Sequence, residues 1–243
     1  MSRLKIFQKG FNFSQDGPGN RLVYHLQGCN LRCPWCANPE GLAVTGGKEY
    51  EVEELIAECV SCAPMFFEGG GVTLTGGEVT LQPEGVKQLL SGLKVRGIHT
   101  AIETNGVAPV LKELLPMLDY LMMDIKHHDP EIHRRVTGLS NESLFANLPA
   151  ILDWGGPIAL RIPVIGGFNA SEEDARAFGR LFQRLGLTGR STVELLAYHE
   201  YGKDKYQTLG MTYQMGEEAK VSFQLIQAME QILREAGMVV VRT

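Results

Sequence analysis

The chain is 243 residues long, 44% hydrophobic, 21% charged and 8% aromatic, an ordinary globular composition that excludes a disordered tail and supplies enough apolar surface for one sizeable core. Its 23 Lys and Arg against 28 Asp and Glu give a net charge of −5, which excludes binding through a broad nucleic-acid or anionic-membrane field. No apolar run approaches the roughly 18 residues of a spanning helix, and residues 1–5 open into no apolar signal region. A cytoplasmic protein with neither membrane nor nucleic-acid partners is expected, folded as one domain over 1–243, since this is the usual length of a single (β/α) barrel.

In chain order, a first β-branched, apolar run predicts a strand at Leu22–Leu26. A helix follows, its apolar positions Val52, Leu55, Ile56, Cys59 and Val60 recurring at three and four residues. Val72–Thr75 predicts the second strand, and Val86, Leu89, Leu90 and Leu93 the second helix. Further strands are predicted at Thr100–Glu103, Tyr120–Ile125 and Ile158–Val164. Ser171, with Asp174 three residues on, starts a helix in the manner of a capping box, and Gly186 stops it. A strand at Val193–Ala197, a helix carrying Val221 to Leu233, and an apolar tail from Met238 to Val241 complete the chain.

Alternating strands and helices imply a mainly parallel sheet, either a full or partial barrel or an open doubly wound sheet. In both architectures function gathers at the carboxyl ends of the strands. That rule singles out Gly28 and Cys29, Thr75 to Glu78, Glu103 to Gly106, Asp124 to Lys126, Arg161 to Gly167 and Tyr198 to Gly202, which all follow predicted strands.

The five cysteines are too few for a disulfide scaffold in a chain this long. Three of them, Cys29, Cys33 and Cys36, fall within eight residues, so one short loop can wrap them around a metal centre. They read as buried thiols, as a zinc loop completed by Cys59 or Cys62, or as ligands of a 4Fe-4S cluster. Structural zinc wants four protein ligands, and no fourth lies nearby. Three cysteines on a four-iron cluster leave one iron open to a small molecule, which favours that reading. Cys59 lies on an apolar helix face and Cys62 at its margin, so both are expected in the core.

The triad, with the aromatic Trp35 before its last cysteine, resembles the signature of the radical S-adenosylmethionine (SAM) superfamily. The likeness extends along the chain to its glycyl-radical-enzyme activating branch, of the short type that serves pyruvate formate-lyase. It is carried by Asp16-Gly17-Pro18-Gly19-Asn20-Arg21, Thr75-Gly76-Gly77-Glu78, Glu103-Thr104-Asn105-Gly106, Asp124-Ile125-Lys126, Arg161-Ile162-Pro163-Val164 and Tyr198-His199-Glu200-Tyr201-Gly202-Lys203.

The resemblance implies a partial (β/α)6 TIM-like barrel. It implies a 4Fe-4S cluster on Cys29, Cys33 and Cys36, SAM chelated at the open iron, reductive cleavage of SAM and hydrogen abstraction from a backbone glycine of a partner enzyme. Gly76 and Gly77 would hold the SAM amino group with Glu78 as its carboxylate partner; Asp124, Ile125 and Lys126 would lie against the methionyl group, with Lys126 counted as catalytic. Trp35, Ala37 and Cys36 would line the adenine side, Asn105 and His199 would contact SAM, and Arg161 would reach its carboxylate.

Glu103, Thr104, Met122 and Asp124 match the surroundings of a monovalent cation, although the family carries an aspartate at the position of Glu103. The Asp16-Gly17-Pro18-Gly19 turn would contact the partner's glycyl loop. No ferredoxin-like insert with its eight cysteines is present, so electrons would come from an external flavodoxin or ferredoxin. Two rivals stand beside this expectation: an enzyme like 7-carboxy-7-deazaguanine synthase, which shares the cysteine loop and the next two motifs, and an iron-sulfur electron carrier, which needs only the triad.

Overall fold

The computed structural model describes residues 2–13 and 15–242. In chain order these form β1 (Arg3–Asn12), β2 (Arg21–Leu26), β3 (Lys48–Glu51), α1 (Val52–Cys62), β4 (Gly71–Gly76), α2 (Pro83–Lys94), β5 (His99–Thr104), α3 (Leu111–Leu114) and β6 (Tyr120–Asp124). There follow α4 (Pro130–Thr137), α5 (Glu142–Trp154), β7 (Ile158–Val164), α6 (Glu172–Arg184), β8 (Thr192–Ala197), α7 (Lys203–Thr208), α8 (Phe223–Glu235) and β9 (Val239–Val241).

Among the described residues the strands make one nine-stranded sheet in the order β3-β1-β2-β4-β5-β6-β7-β8-β9. From β2 onward every neighbour is parallel, while β1 pairs antiparallel with both β2 and β3. The end strands do not meet, so the sheet curls as an open barrel, and the predicted six-strand set gains the tail strand β9 and an antiparallel flank. The flank escaped the sequence reading for physical reasons. The alternation of Leu4 and Ile6 breaks at a bulge between Ile6 and Gln8, and β3 is the half-exposed polar run Lys48-Glu49-Tyr50-Glu51. Edge strands of this kind carry little hydrophobic signal.

Side chains alternate across each strand. Leu22, Tyr24, Leu26, Val72, Leu74, Ile102, Leu121, Met123, Leu160, Ile162 and Val193 point to the helices and join one large core with α1, α2, α5, α6 and α8. The opposite alternation, Thr73, Thr75, Glu103, Asp124, Arg161 and Glu194, faces the barrel interior, which is therefore polar and charged except for a small patch of Ala101, Met122 and Ala159. The registers Thr75 beside the end of β5 and Asp124↔Arg161↔Glu194 bring the charged members to one level near the carboxyl ends.

The helices start as their caps dictate. Ser171 Oγ accepts the Asp174 N–H at 3.1 Å, Asp129 accepts the Glu131 and Ile132 N–H groups at 2.8 and 3.0 Å, and Ser222 accepts that of Leu225 at 3.2 Å. Gly138, at φ 95°, ends α4 in the left-handed region that favours glycine. Helix α5 carries Pro149 inside it, yet its buried positions Leu144, Asn147, Leu148 and Ile151 keep helical spacing. No described helix is long and apolar enough to cross a membrane.

Candidate functional site

The loop after β2 carries the three thiols. Its path is set by backbone bonds at both ends: Gly28 N–H to Gly41 O at 2.9 Å and Cys29 N–H to Leu42 O at 3.3 Å, with Arg32 N–H to Thr137 O at 2.7 Å on the α4 side. A turn inside the loop is closed by Cys36 N–H to Cys33 O at 3.1 Å. Cys29, Cys33 and Cys36 line one cavity of about 240 Å3 at the carboxyl end of the sheet.

The opposite wall of this cavity comes from the other strand ends. Gly77 lies so close to the cysteine loop that an added Cβ would sit 2.0 Å from Gly28 O and 2.7 Å from Gly41 O. Only glycine permits this approach, which the bonds Gly77 N–H to Leu26 O at 2.9 Å and Glu78 N–H to Gly28 O at 2.7 Å secure. Glu78 is 1% exposed. Its Oε1 accepts Thr80 N–H at 3.1 Å and the hydroxyls of Thr80 and Thr104 at 2.6 Å each, and its Oε2 accepts Asn105 N–H at 2.9 Å. The carboxylate thus ties the end of β4 to the end of β5 and keeps one lone pair on Oε2 for a further donor. Asn105 in turn donates to Asn30 Oδ1 at 2.7 Å, next to Cys29.

Lys126, 9% exposed, pairs with Asp124 at 2.6 Å. Burial opposes its charge, but Asp124 and the nearby Cys33 and Cys29 outweigh that opposition and raise its pKa, so an ammonium stands in the cavity. Burial pushes the Asp124 carboxyl up against the pull of Lys126. His199 completes the wall beyond β8; its ring stacks on Tyr201 at 4.1 Å, and burial lowers its pKa, leaving a neutral imidazole. Trp35 lines the cavity and packs on Phe168 at 4.8 Å, so it serves wall and core together.

Of the residues singled out in the sequence, the structure brings Cys29, Cys33, Trp35, Cys36, Ala37, Gly76, Gly77, Glu78, Glu103, Thr104, Asn105, Asp124, Lys126 and His199 to this one cavity. Others stand elsewhere. Arg161 is not among the cavity's lining residues: it donates to the lining Glu103 at 2.6 Å, pairs with Glu194 at 3.3 Å and bonds the Gln15 carbonyl. Ile125 points into the helix-side core, its N–H bound to Arg161 O at 2.8 Å. Met122 is buried in the interior patch with Ala101 and Ala159.

Three of the four residues expected around a cation have partners or packing of their own. Glu103 is taken by Arg161 and by the Thr75 hydroxyl at 2.7 Å, Asp124 by Lys126, and Met122 lies a layer below. Against its burial, the charge of Arg161 and the Thr75 bond lower the Glu103 pKa.

The Asp16–Gly19 turn also lies apart from the cavity and plugs the barrel floor. Thr73 donates to Asp16 O at 2.6 Å, Arg21 to Pro18 O at 3.3 Å, and an added Cβ on Gly17 would touch Met122 and Ala101. Cys59 is in the core 3.4 Å from the Tyr24 hydroxyl, and Cys62 packs at its edge, as expected.

Thr75 and Pro163 line the cavity too, within the strand-end stretches singled out in the sequence, and Leu31, Asn38, Leu42 and Leu196 join them without having been assigned a role. Alternation could have found Leu196, which continues the inward face of β8. The other three sit on a loop with no periodicity to read.

The thiols fit a polynuclear cluster better than one ion. Zn–S bonds of about 2.3 Å would draw tetrahedral sulfurs to about 3.8 Å. Among the described residues, the set of metal-binding atoms that all lie within 4.8 Å of one another is His127, His128 and Asp174, and the three thiols are not such a set. That histidine set is itself filled: His127 accepts Asp129 N–H at Nδ1 (2.9 Å) and faces Phe168 O from Nε2 at 3.1 Å, so the neutral ring keeps no lone pair for an ion. The Leu31 N–H donates to Cys29 Sγ at 3.4 Å, the kind of bond that tunes cluster thiolates. Burial raises the thiols, Cys29 to about 11 and Cys33 to about 12, so their deprotonation is coupled to metal binding.

The profile of the radical SAM superfamily matches residues 23–179. The chain is 34% identical to the pyruvate formate-lyase 1-activating enzyme of Escherichia coli over 91% of its length and 92% of that protein. It is 35% identical to the pyruvate formate-lyase-activating enzyme of Clostridium pasteurianum over 90% and 92%. It is 32% identical to the choline trimethylamine-lyase activating enzyme of Oleidesulfovibrio alaskensis over 82% and 84%. That last alignment runs over 267 positions, more than this chain has, so that relative carries residues with no counterpart here.

Among solved structures, a domain of a pyruvate-formate lyase-activating enzyme from Bacteroides vulgatus superposes with a TM-score of 0.57 at 26% identity, covering 71% of this chain and 98% of that one. A radical SAM methyltransferase from Sphaerobacter thermophilus shares the fold at a TM-score of 0.70 and 18% identity, covering 95% and 67%. The thiol loop, the glycine approach and the lysine-bearing strand end thus sit on the fold and the sequence of one family: this chain belongs to the radical SAM superfamily, among the activating enzymes of glycyl radical enzymes.

Proposed function

We propose that this chain activates a glycyl radical enzyme of the pyruvate formate-lyase type. The observation that carries the reading is the convergence of Cys29, Cys33 and Cys36 with Gly77, Lys126 and His199 on one cavity, in a chain similar over nine-tenths of its length to named activases. The family implies a 4Fe-4S cluster and SAM, which together supply one-electron cleavage of the sulfonium and hydrogen-atom abstraction from a glycine of the partner protein.

Within that chemistry the three cysteines hold the cluster, and the backbone of Gly76 and Gly77 receives the SAM amino group, with Glu78 Oε2 as a further acceptor. The Lys126 ammonium, held charged by Asp124, meets the methionyl carboxylate. The neutral His199 ring, Trp35 and Ala37 border the adenosine. Asn105 braces the loop just after Cys29 through Asn30. The protein supplies position and limits the access of water and oxygen to the reacting atoms.

Around this site the 243 residues act as one radical SAM domain without a ferredoxin-like insert, in the cytoplasm. The reductant is a flavodoxin or ferredoxin. The half-buried Asp16–Gly19 turn meets the partner by its outer edge while its backbone holds the barrel floor. The position of a monovalent cation is taken over by Arg161 on Glu103.

The test is anaerobic reconstitution with iron and sulfide, then electron paramagnetic resonance of the reduced protein with and without SAM, then incubation with pyruvate formate-lyase. A four-iron signal that shifts with SAM, release of 5′-deoxyadenosine and a glycyl radical signal are expected. A cluster indifferent to SAM would return the protein to electron transfer, and 5′-deoxyadenosine release without a glycyl signal would favour a small-molecule substrate.

A further inference from the structure

The segment after β8 does more than supply His199. At Gly202 its backbone presses on the cysteine loop: an added Cβ would lie 2.4 Å from Cys36 O and 3.1 Å from Ala37 Cα. One turn later, α7 places Lys205 Nζ 2.9 Å from Asn38 Oδ1 and 2.7 Å from Glu40 Oε1. Asn38 lines the cavity, and Glu40 lies in the short helical turn Pro39–Gly41. That turn closes on itself through Gly41 N–H to Asn38 O at 3.0 Å and Leu42 N–H to Pro39 O at 3.1 Å. It also accepts the N–H groups of Gly28 and Cys29 through Gly41 O and Leu42 O. The loop from Cys36 to Leu42 therefore connects the last thiol to the first, and Lys205 grips its middle.

An exposed ion pair is ordinarily worth little, but Glu40 is not ordinary. Its second oxygen, Oε2, is buried without a hydrogen-bond partner, so the bond to Lys205 is what holds the carboxylate in place. Without that ammonium a partly buried carboxylate would stand unpaired, and the turn would move to hydrate it.

We propose that Lys205 is a positioning residue for the cluster: by clasping Asn38 and Glu40 it fixes the turn that sets Cys29 and Cys36 in register, and it keeps a positive charge beside the cluster. This rests on the activase reading only for the presence of the cluster; the clasp itself is a property of the chain.

The test compares Lys205→Met, which keeps length but removes charge and donors, with Lys205→Arg, which keeps both, in the full chain. Three quantities are measured: amide hydrogen exchange at residues 40–42 in the iron-free protein, the rate at which a chelator strips iron from the reconstituted protein, and the midpoint potential of the cluster. In Lys205→Met, exchange at 40–42 is expected to quicken about tenfold, the ratio that loss of one or two hydrogen bonds gives. Exchange in β7 should stay unchanged, iron loss should quicken several-fold and the potential should become more negative; Lys205→Arg should stay near the parent in all three. Unchanged exchange at 40–42 overturns the clasp. Faster exchange with an unmoved potential overturns the charge role. If the parent itself takes up no cluster, the activase reading falls, and exchange at 40–42 alone decides the clasp.

Discussion

Replacing Glu78 by glutamine swaps one buried oxygen for an amide group at the junction of β4 and β5. The four donors that meet this carboxylate, Thr80 N–H and hydroxyl, Thr104 hydroxyl and Asn105 N–H, leave the amide no good orientation. The least harmful choice keeps the carbonyl at Oε1 and turns the new NH2 toward Asn105 N–H, where two donors then face each other across 2.9 Å. The loss is one charge-assisted hydrogen bond, the weakening of three others and a buried N–H without an acceptor, together about 2–4 kcal/mol. Against a total stability of about 5–15 kcal/mol that is a large fraction. In urea, with a slope of about 2–3 kcal/mol/M, the unfolding midpoint of the iron-free protein should fall by about 1 M. The Asn105 to Asn30 bond should loosen as well, so the reconstituted variant should lose SAM affinity. A midpoint within about 0.2 M of the parent, with SAM binding abolished, would refute the reasoning: Glu78 would then be a ligand contact and not the tie between two strand ends.

Gly77→Ala forces the Thr75–Glu78 turn off the cysteine loop, because its Cβ meets backbone and no flexible side chain. Overpacking of this kind costs about 1–3 kcal/mol, and the variant should bind iron yet show no spectral change with SAM; a normal SAM response would show that the turn can retreat harmlessly. Arg161→Met leaves Glu103 and Glu194 buried without their shared cation, a loss of about 3–5 kcal/mol. Sodium or potassium should partly restore its stability and its SAM response, while the parent should be indifferent to the choice of monovalent salt; a parent that needs sodium or potassium contradicts the reading of Arg161 as the fixed cation. On acidification, buried His133 resists protonation, its pKa pushed down to about 4 from the usual 6.5. The unfolded chain binds that proton first, so stability is full above pH 6.5 and declines as pH falls toward about 4. Melting temperatures across that range should fall, and less steeply in His133→Gln; parallel curves would assign the acid sensitivity to other groups.

Much of the site was legible because its chemistry is written in short motifs at strand ends. Three thiols in one loop, adjacent glycines before Glu78, and Asp124 two residues from Lys126 each announce a backbone path or a shared strand face, and the parallel βα order places all of them at one edge. Residues whose role depends on length and reach were harder to read. Arg161 stands on an inward position of β7, but whether its guanidinium meets a ligand or a carboxylate depends on Glu103 and Glu194, which are distant in sequence. Glu78 announces an acidic group in a turn and says nothing of the four donors around it.

The sequence by itself determined the alternation of strands and helices, the cysteine loop and the family, because periodicity and local spacing are properties of neighbouring residues. Only the tertiary structure decided that Asp16–Gly19 packs on the barrel floor, that Arg161 pairs with Glu103, and that Lys205 grips a turn 165 residues away in the chain. Each of these is a pairing of buried charges or backbone groups across strands, and such pairings are selected by which groups the folded chain removes from water together.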